Sequence, residues 1–114
     1  MSSKLDLQRI EEKTGIGDRD LLITVAEALA QEGPLRLTEI EQGMSEQDAE
    51  KVSIAAHTLK GASRAMVMDD LAAASERIEL AARKNNLDEV KEALPELTDE
   101  VSEMLEAVKQ FINA

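Results

Sequence analysis

The sequence predicts an all-α protein: an antiparallel up-down four-helix bundle with a short extra helix at its N-terminus. Three observations predict it. Apolar residues recur at spacings of three and four along the chain, with no strand-like alternation. Ala, Leu, Glu and Lys dominate, which favours helix by intrinsic propensity. The breaks between periodic stretches are short and leave little room for a crossover.

The elements follow in order. Ser3, with Asp6 three residues on, is placed to cap a first helix running to about Lys13, and Thr14-Gly15-Ile16-Gly17 stops it. Asp18 caps a second helix with Leu22, Val25 and Leu29 on one face. Gly33-Pro34 then breaks or kinks it, because proline lacks the backbone donor and clashes with the preceding turn. Leu37, Ile40 and Met44 resume the stripe before Gln42-Gly43 ends it. Ser45-Glu46-Gln47-Asp48 reads as a capping box opening the third helix, whose stripe is Val52, Ala55, Leu59, Ala62 and Met66. Asp69 or Asp70 opens a fourth helix with Leu71, Ala74, Ile78 and Ala81 inward, and Asn85-Asn86 ends it. The last helix keeps one seam through Leu87, Val90, Leu94, Leu97, Val101, Met104, Val108 and Phe111. Pro95 lies inside that helix but off the seam, so a kink toward solvent is expected rather than a stop.

Composition bounds the function. The chain has 114 residues, 43% of them hydrophobic, which predicts one domain over residues 1–114 with one core. Phe111 is the single aromatic, so that core is aliphatic. The absence of cysteine removes disulfides, thiolate catalysis and Cys-based zinc sites. No apolar run approaches the ~20 residues of a membrane span, and the first residues lack a signal-peptide core, which points to the cytoplasm. With 24 Asp and Glu against 13 Lys and Arg, the formal net charge is −11. Nucleic acid and anionic membranes would repel such a surface.

One helix face departs from this pattern. A rotation of ~100° per residue puts His57, the only histidine, opposite the Leu59–Met66 stripe and toward solvent. Lys60 and Arg64 follow on the same face, Gly61 lies beside the ring, and Ser63 lies on the flank. From Lys51 through Met68 there is no acidic residue, the longest such stretch in the chain, so a cationic patch that handles an anion is expected. The other glycines (15, 17, 33 and 43) fall at predicted breaks, whereas Gly61 sits inside a periodic helix at about 0.5–1 kcal/mol against alanine. A missing side chain there admits another surface close to the backbone beside His57. The flanking cations favour a neutral, nucleophilic ring, and Lys60 and the Ser63 hydroxyl are placed to stabilise an anion bonded to it. Those features describe a phosphorylatable histidine without an enclosing pocket.

The segment His57-Thr58-Leu59-Lys60-Gly61-Ala62-Ser63, preceded by Ala55-Ala56, closely resembles the signature of histidine-containing phosphotransfer domains. The resemblance covers nearly the whole chain. It implies a four-helix phosphoryl carrier that relays phosphoryl groups between aspartates of response-regulator receiver domains, or from a hybrid sensor histidine kinase. His57 would then carry the group on the ring nitrogen farther from the backbone, Lys60 would stabilise its charge, and Gly61 would be the docking glycine. Glu79 would match the Gln or Glu that orients the histidine from the neighbouring helix. Ser63 and Arg64 would add phosphate-stabilising contacts, and Ile54 and Ile16 would add apolar docking surface. The resemblance implies no cofactor and no metal site of the chain's own, Mg²⁺ being supplied by the partner receiver domain. It also implies a monomer without autokinase activity, in keeping with the lack of a nucleotide-binding glycine motif. The chain departs from the family at Met66-Val67-Met68, where a glycine is common, so the turn into the fourth helix is expected to differ.

Three other readings compete. The phosphoacceptor domain of a chemotaxis-type histidine kinase carries a similar motif, although a chain running from Met1 to just past its last seam residue suits a free-standing carrier. A non-phosphorylated helical adaptor would not need the His57-Lys60-Gly61 set. A metal-binding bundle is disfavoured by one histidine and no Glu-x-x-His pair.

Overall fold

Helix signals in the sequence become five helices in the computed structural model, which describes residues 5–113. They are α1 (Leu7–Thr14), α2 (Arg19–Ser45), α3 (Ala49–Ala65), α4 (Asp69–Arg83) and α5 (Leu87–Asn113). No strand occurs among the described residues.

Four of the five starts carry a side-chain cap, whereas α4 opens at Asp69 after Met68 without one. Asp6, not Ser3, caps α1: its carboxylate accepts from the Gln8 and Arg9 amides at 3.1 and 3.2 Å. Ser3 lies outside the described residues. Asp18 caps α2 as the sequence predicts, accepting from the Asp20 amide at 2.9 Å. Asp48, the last residue of the predicted capping box, caps α3 by accepting from the Lys51 amide at 3.1 Å. Asn86 caps α5 through the Glu89 amide at 3.2 Å.

Of the break or kink expected at Gly33-Pro34 the break does not occur, and the helix runs past Gln42-Gly43 to Ser45. α2 is one helix of 27 residues, and so is α5. At 1.5 Å per residue each spans about 40 Å, which sets the 42 Å long axis of the molecule. Pro34 and Pro95 both sit on exposed faces of continuous helices. Gly33 is a packing residue: a Cβ there would run into the terminal methyl of Met104 on α5. Gly43 is another, since its Cβ would lie 2.7 Å from Val52 Cγ2 on α3. Neither glycine punctuates the chain; each lets a neighbouring helix come close.

The three connections after α2, α3 and α4 share one turn. Gln47, Val67 and Asn85 take left-handed φ values of 56°, 55° and 59°. The next residue's amide reaches back five positions in each case: Asp48 to Gly43 O at 2.8 Å, Met68 to Ser63 O and Asn86 to Ala81 O both at 2.9 Å. That is the Schellman closure, in which a left-handed residue lets the chain satisfy the last carbonyls. Val67 holds this conformation at a site where glycine would be strain-free, and Met66, Val67 and Met68 are all buried. Burial of three apolar side chains offsets the strain of a β-branched left-handed residue.

α2 packs on α3, α3 on α4, α4 on α5, and α5 returns to α2. The buried side chains form one aliphatic core that runs from Ile10 to Phe111. The predicted seams face it: Leu22, Leu29, Ile40, Val52, Leu59, Met66, Leu71, Ile78, Leu97 and Met104 are buried. Ile16 packs partly against this core, so it is not the free docking residue it was expected to be. Arg19 ties the start of α2 to the end of α5, donating to Phe111 O at 3.0 Å with its guanidinium 5.0 Å from the ring centroid. No helix of the described residues is long and apolar enough to cross a membrane.

Candidate functional site

The site is made where α3 and α4 pack closely. Both helices are rich in small buried residues: Ala55, Ala56 and Ser63 on α3 and Ala72, Ala74 and Ser75 on α4. Close backbones bring Glu79 of α4 under the α3 face that carries His57. The Glu79 side chain is 0% exposed, whereas that of His57 is 61% exposed. A fully buried carboxylate needs partners, because burying a charge without them is costly.

Glu79 has three. His57 Nδ1 lies 2.8 Å from Oε2. Arg83, one turn further along α4, brings a guanidinium nitrogen to 2.6 Å from the same Oε2. Lys60 Nζ stands 2.6 Å from Oε1, off the line of a hydrogen bond, so Oε1 has an ionic contact without an aligned donor. Burial pushes the Glu79 carboxyl up, but Lys60, the His57 hydrogen bond and Arg83 together outweigh it and hold the group below its ordinary 4.5. An ionised carboxylate only accepts, so Nδ1 is the protonated nitrogen of the His57 pair. Nε2 then carries the lone pair, on the ring edge away from Glu79. The arrangement presents a nucleophilic nitrogen to solvent with its tautomer fixed from beneath.

The remaining predicted residues divide. Gly61 is exposed and a Cβ built there meets nothing within 4 Å, so nothing inside the protein explains that glycine. Ile54, one turn before His57 on α3, is 60% exposed. Arg64 is exposed and pairs with Glu76 of α4 at 2.7 Å. Ser63 is not brought to the site: it is fully buried, and its hydroxyl donates to Leu59 O at 2.7 Å. At about 3.6 residues per turn, the six positions from His57 carry it past that face and into the interior. The cations of the expected patch each have an acidic partner. Lys51 pairs with Glu46, Lys60 with Glu79 and Arg64 with Glu76, so the α2–α3 turn and α4 supply the acids that this stretch of sequence lacks.

Arg83 is the site residue that sequence reasoning missed. The available signal was its position four residues after Glu79, where an i,i+4 acid–base pair forms on a helix.

An all-helical fold thus presents one exposed histidine on an open surface, backed by a buried acid and two cations. The chain belongs to the Hpt domain family, whose model matches residues 24–111, most of its length. Hpt domains are phosphocarriers in histidine phosphotransfer within two-component systems, working with receiver domains and kinases. No curated protein and no solved structure matches the chain.

Proposed function

We propose that this protein is a histidine phosphotransfer carrier whose His57 Nε2 accepts a phosphoryl group from a receiver-domain aspartate, or from the receiver of a hybrid sensor histidine kinase, and passes it to another. The observation that carries the reading is the His57–Glu79 pair: an exposed ring whose Nδ1 is engaged by a fully buried carboxylate, leaving Nε2 as the nucleophile.

The roles follow from the chemistry. Phosphoryl transfer needs in-line positioning and charge neutralisation more than it needs acid–base catalysis. His57 attacks phosphorus while Glu79 orients the ring. Lys60, and at longer range Arg64, neutralise the phosphoryl charge. Gly61 gives the partner close access to the α3 backbone, and Ile54 supplies exposed apolar contact beside it. The metal and the acceptor aspartate belong to the partner. The carrier works as a single cytoplasmic domain, a monomer without autokinase activity, built as an antiparallel up-down bundle with α1 added. Arg19 lying against Phe111 and Gly33 against Met104 support the antiparallel pairing of α2 with α5.

Incubation with a phosphorylated receiver domain tests the reading. Wild type acquires an acid-labile, alkali-stable label and His57→Gln acquires none. Label on neither protein leaves a helical adaptor as the better description.

A further inference from the structure

The helices pack in a ring, α2 on α3, α3 on α4, α4 on α5 and α5 on α2, so the α2–α5 groove lies across the molecule from the His57 site. By helical spacing Ile23, Ala30 and Leu37 border that groove on α2, and Leu94, Leu105 and Ile112 border it on α5. Five of them are half-buried and Leu105 is exposed. Glu27 and Glu41 flank the apolar strip on α2, and Lys91 and Lys109 flank it on α5. All four charges are exposed, and none enters an ion pair among the described residues. The acids of α5 fall elsewhere on its surface, Glu89 and Glu96 on the side of Arg77 of α4. Gly33 faces Met104 and Val101, which fixes the register of the two antiparallel helices. Counting from that contact puts Ile23 level with Ile112, Ala30 with Leu105 and Glu27 with Lys109, and Glu41 within about a turn of Lys91. Acid on one helix and lysine on the other at matching heights make this face its own complement. A two-fold axis along the groove lays α2 of one copy over α5 of another, each pair occurring twice.

We propose that the α2–α5 face is a self-association surface on which a second copy of this chain seats by two-fold symmetry, Glu27 against Lys109 and Glu41 against Lys91 across the pair. Extents of 42, 23 and 22 Å give this side of the molecule a footprint of roughly 900 Å², comparable with the ~800 Å² that a stable complex buries on each partner. Each copy carries a charge of −11, so whole-body repulsion keeps dilute chains apart at low salt. Salt screens that long-range field more than it screens pairs held in contact within a packed face. The single chain remains the working carrier, because both His57 sites point outward from the pair and stay open to receiver domains. The inference rests on the α2–α5 face alone and stands whether or not His57 carries phosphate.

Sedimentation equilibrium of the full chain in about 0.3 M NaCl tests it. The wild type is expected to be mostly monomer at about 5 μM and at least half dimer by about 1 mM. Two double variants test the charge pairing. Glu27→Lys with Glu41→Lys makes the flanking charges of the face all basic, and Lys91→Glu with Lys109→Glu makes them all acidic. Each variant alone should pair at least about tenfold more weakly than wild type, whereas their equimolar mixture should recover wild-type affinity to within about threefold. The all-basic variant carries less net charge than wild type, so overall repulsion does not account for its loss. Loss of a pair within one chain would weaken neither association nor restore it on mixing. Amide ¹⁵N shifts of the wild type that move with concentration should lie along residues 23–41 and 91–112, with those of His57 and Gly61 unmoved. A wild type still monomeric at about 1 mM overturns the proposal. So does a mixture that stays apart, or a set of moving shifts centred on His57. The two wild-type measurements decide the matter on their own if a variant does not fold.

Discussion

Glu79 shows what a single residue's surroundings decide. Its folded carboxyl titrates below the 4.5 of an ordinary glutamate, so the folded state binds fewer protons than the unfolded chain between those two values. The stability it contributes is therefore present above pH 4.5 and lost as pH falls through the folded value. Urea midpoints measured from pH 6 down to pH 3 should decline, and Glu79→Gln should flatten the part of that decline that belongs to this group. Equal slopes in both proteins would show that the three partners do not hold the charge. Much of this site was legible in the sequence. His57, Lys60, Gly61 and Arg64 share one face by helical spacing alone, and Glu79 entered through the family resemblance. What spacing could not show is depth. Ser63 is only two positions from Gly61, yet that step carries it from open solvent to full burial. Glu76 stayed hidden because its pairing with Arg64 across α3 and α4 depends on how the helices pack, which no single stretch of sequence contains; Arg83 was within reach of the i,i+4 rule.

Among the elements, three turns are closed by residues in a conformation that L-amino acids avoid at about 1–2 kcal/mol. Gln47 is the exposed one of these with no shape advantage of its own, so Gln47→Gly should raise stability by about 0.5–1 kcal/mol, seen as a higher urea midpoint at unchanged slope. Val67 differs, since glycine there would relieve strain but remove a buried side chain. Helix glycines give a sharper pair. Gly61→Ala should stabilise the fold by about 0.5–1 kcal/mol, because open space and helix propensity both favour it, while slowing transfer from a phosphorylated receiver domain. Gly43→Ala should destabilise by about 1 kcal/mol, because Val52 and the Asp48 carbonyl oxygen, 3.2 Å from the added carbon, leave it no room. Unchanged transfer by Gly61→Ala would remove the docking role from that glycine. Element type was legible throughout, and so was the run of α5 through Pro95, whereas the continuity of α2 was left open between a kink and a break. Gly33-Pro34 carries the local signal of a stop, but α2 runs through it, with Gly33 buried where the terminal methyl of Met104 on α5 packs and Pro34 on the exposed face.

At the level of the whole molecule, charge is spread unevenly. α5 carries Asp88, Glu89, Glu92, Glu96, Asp99, Glu100, Glu103 and Glu106 against Lys91 and Lys109. The cations of the His57 region, by contrast, are paired, Arg64 with Glu76 and both Lys60 and Arg83 with Glu79. A net charge of −11 on so small a body repels itself, and salt screens that repulsion. The thermal midpoint should rise as NaCl is raised from about 0.02 to 0.3 M; a flat response would mean that local pairing already neutralises the surface. The exposed imidazole has one more consequence under the carrier reading. Only one visitor can sit on His57 at a time, since a single ring edge offers a single berth. Donor and acceptor proteins must therefore queue, each in excess blocking the other, and traffic through the relay is set as much by how promptly a visitor departs as by how readily it arrives.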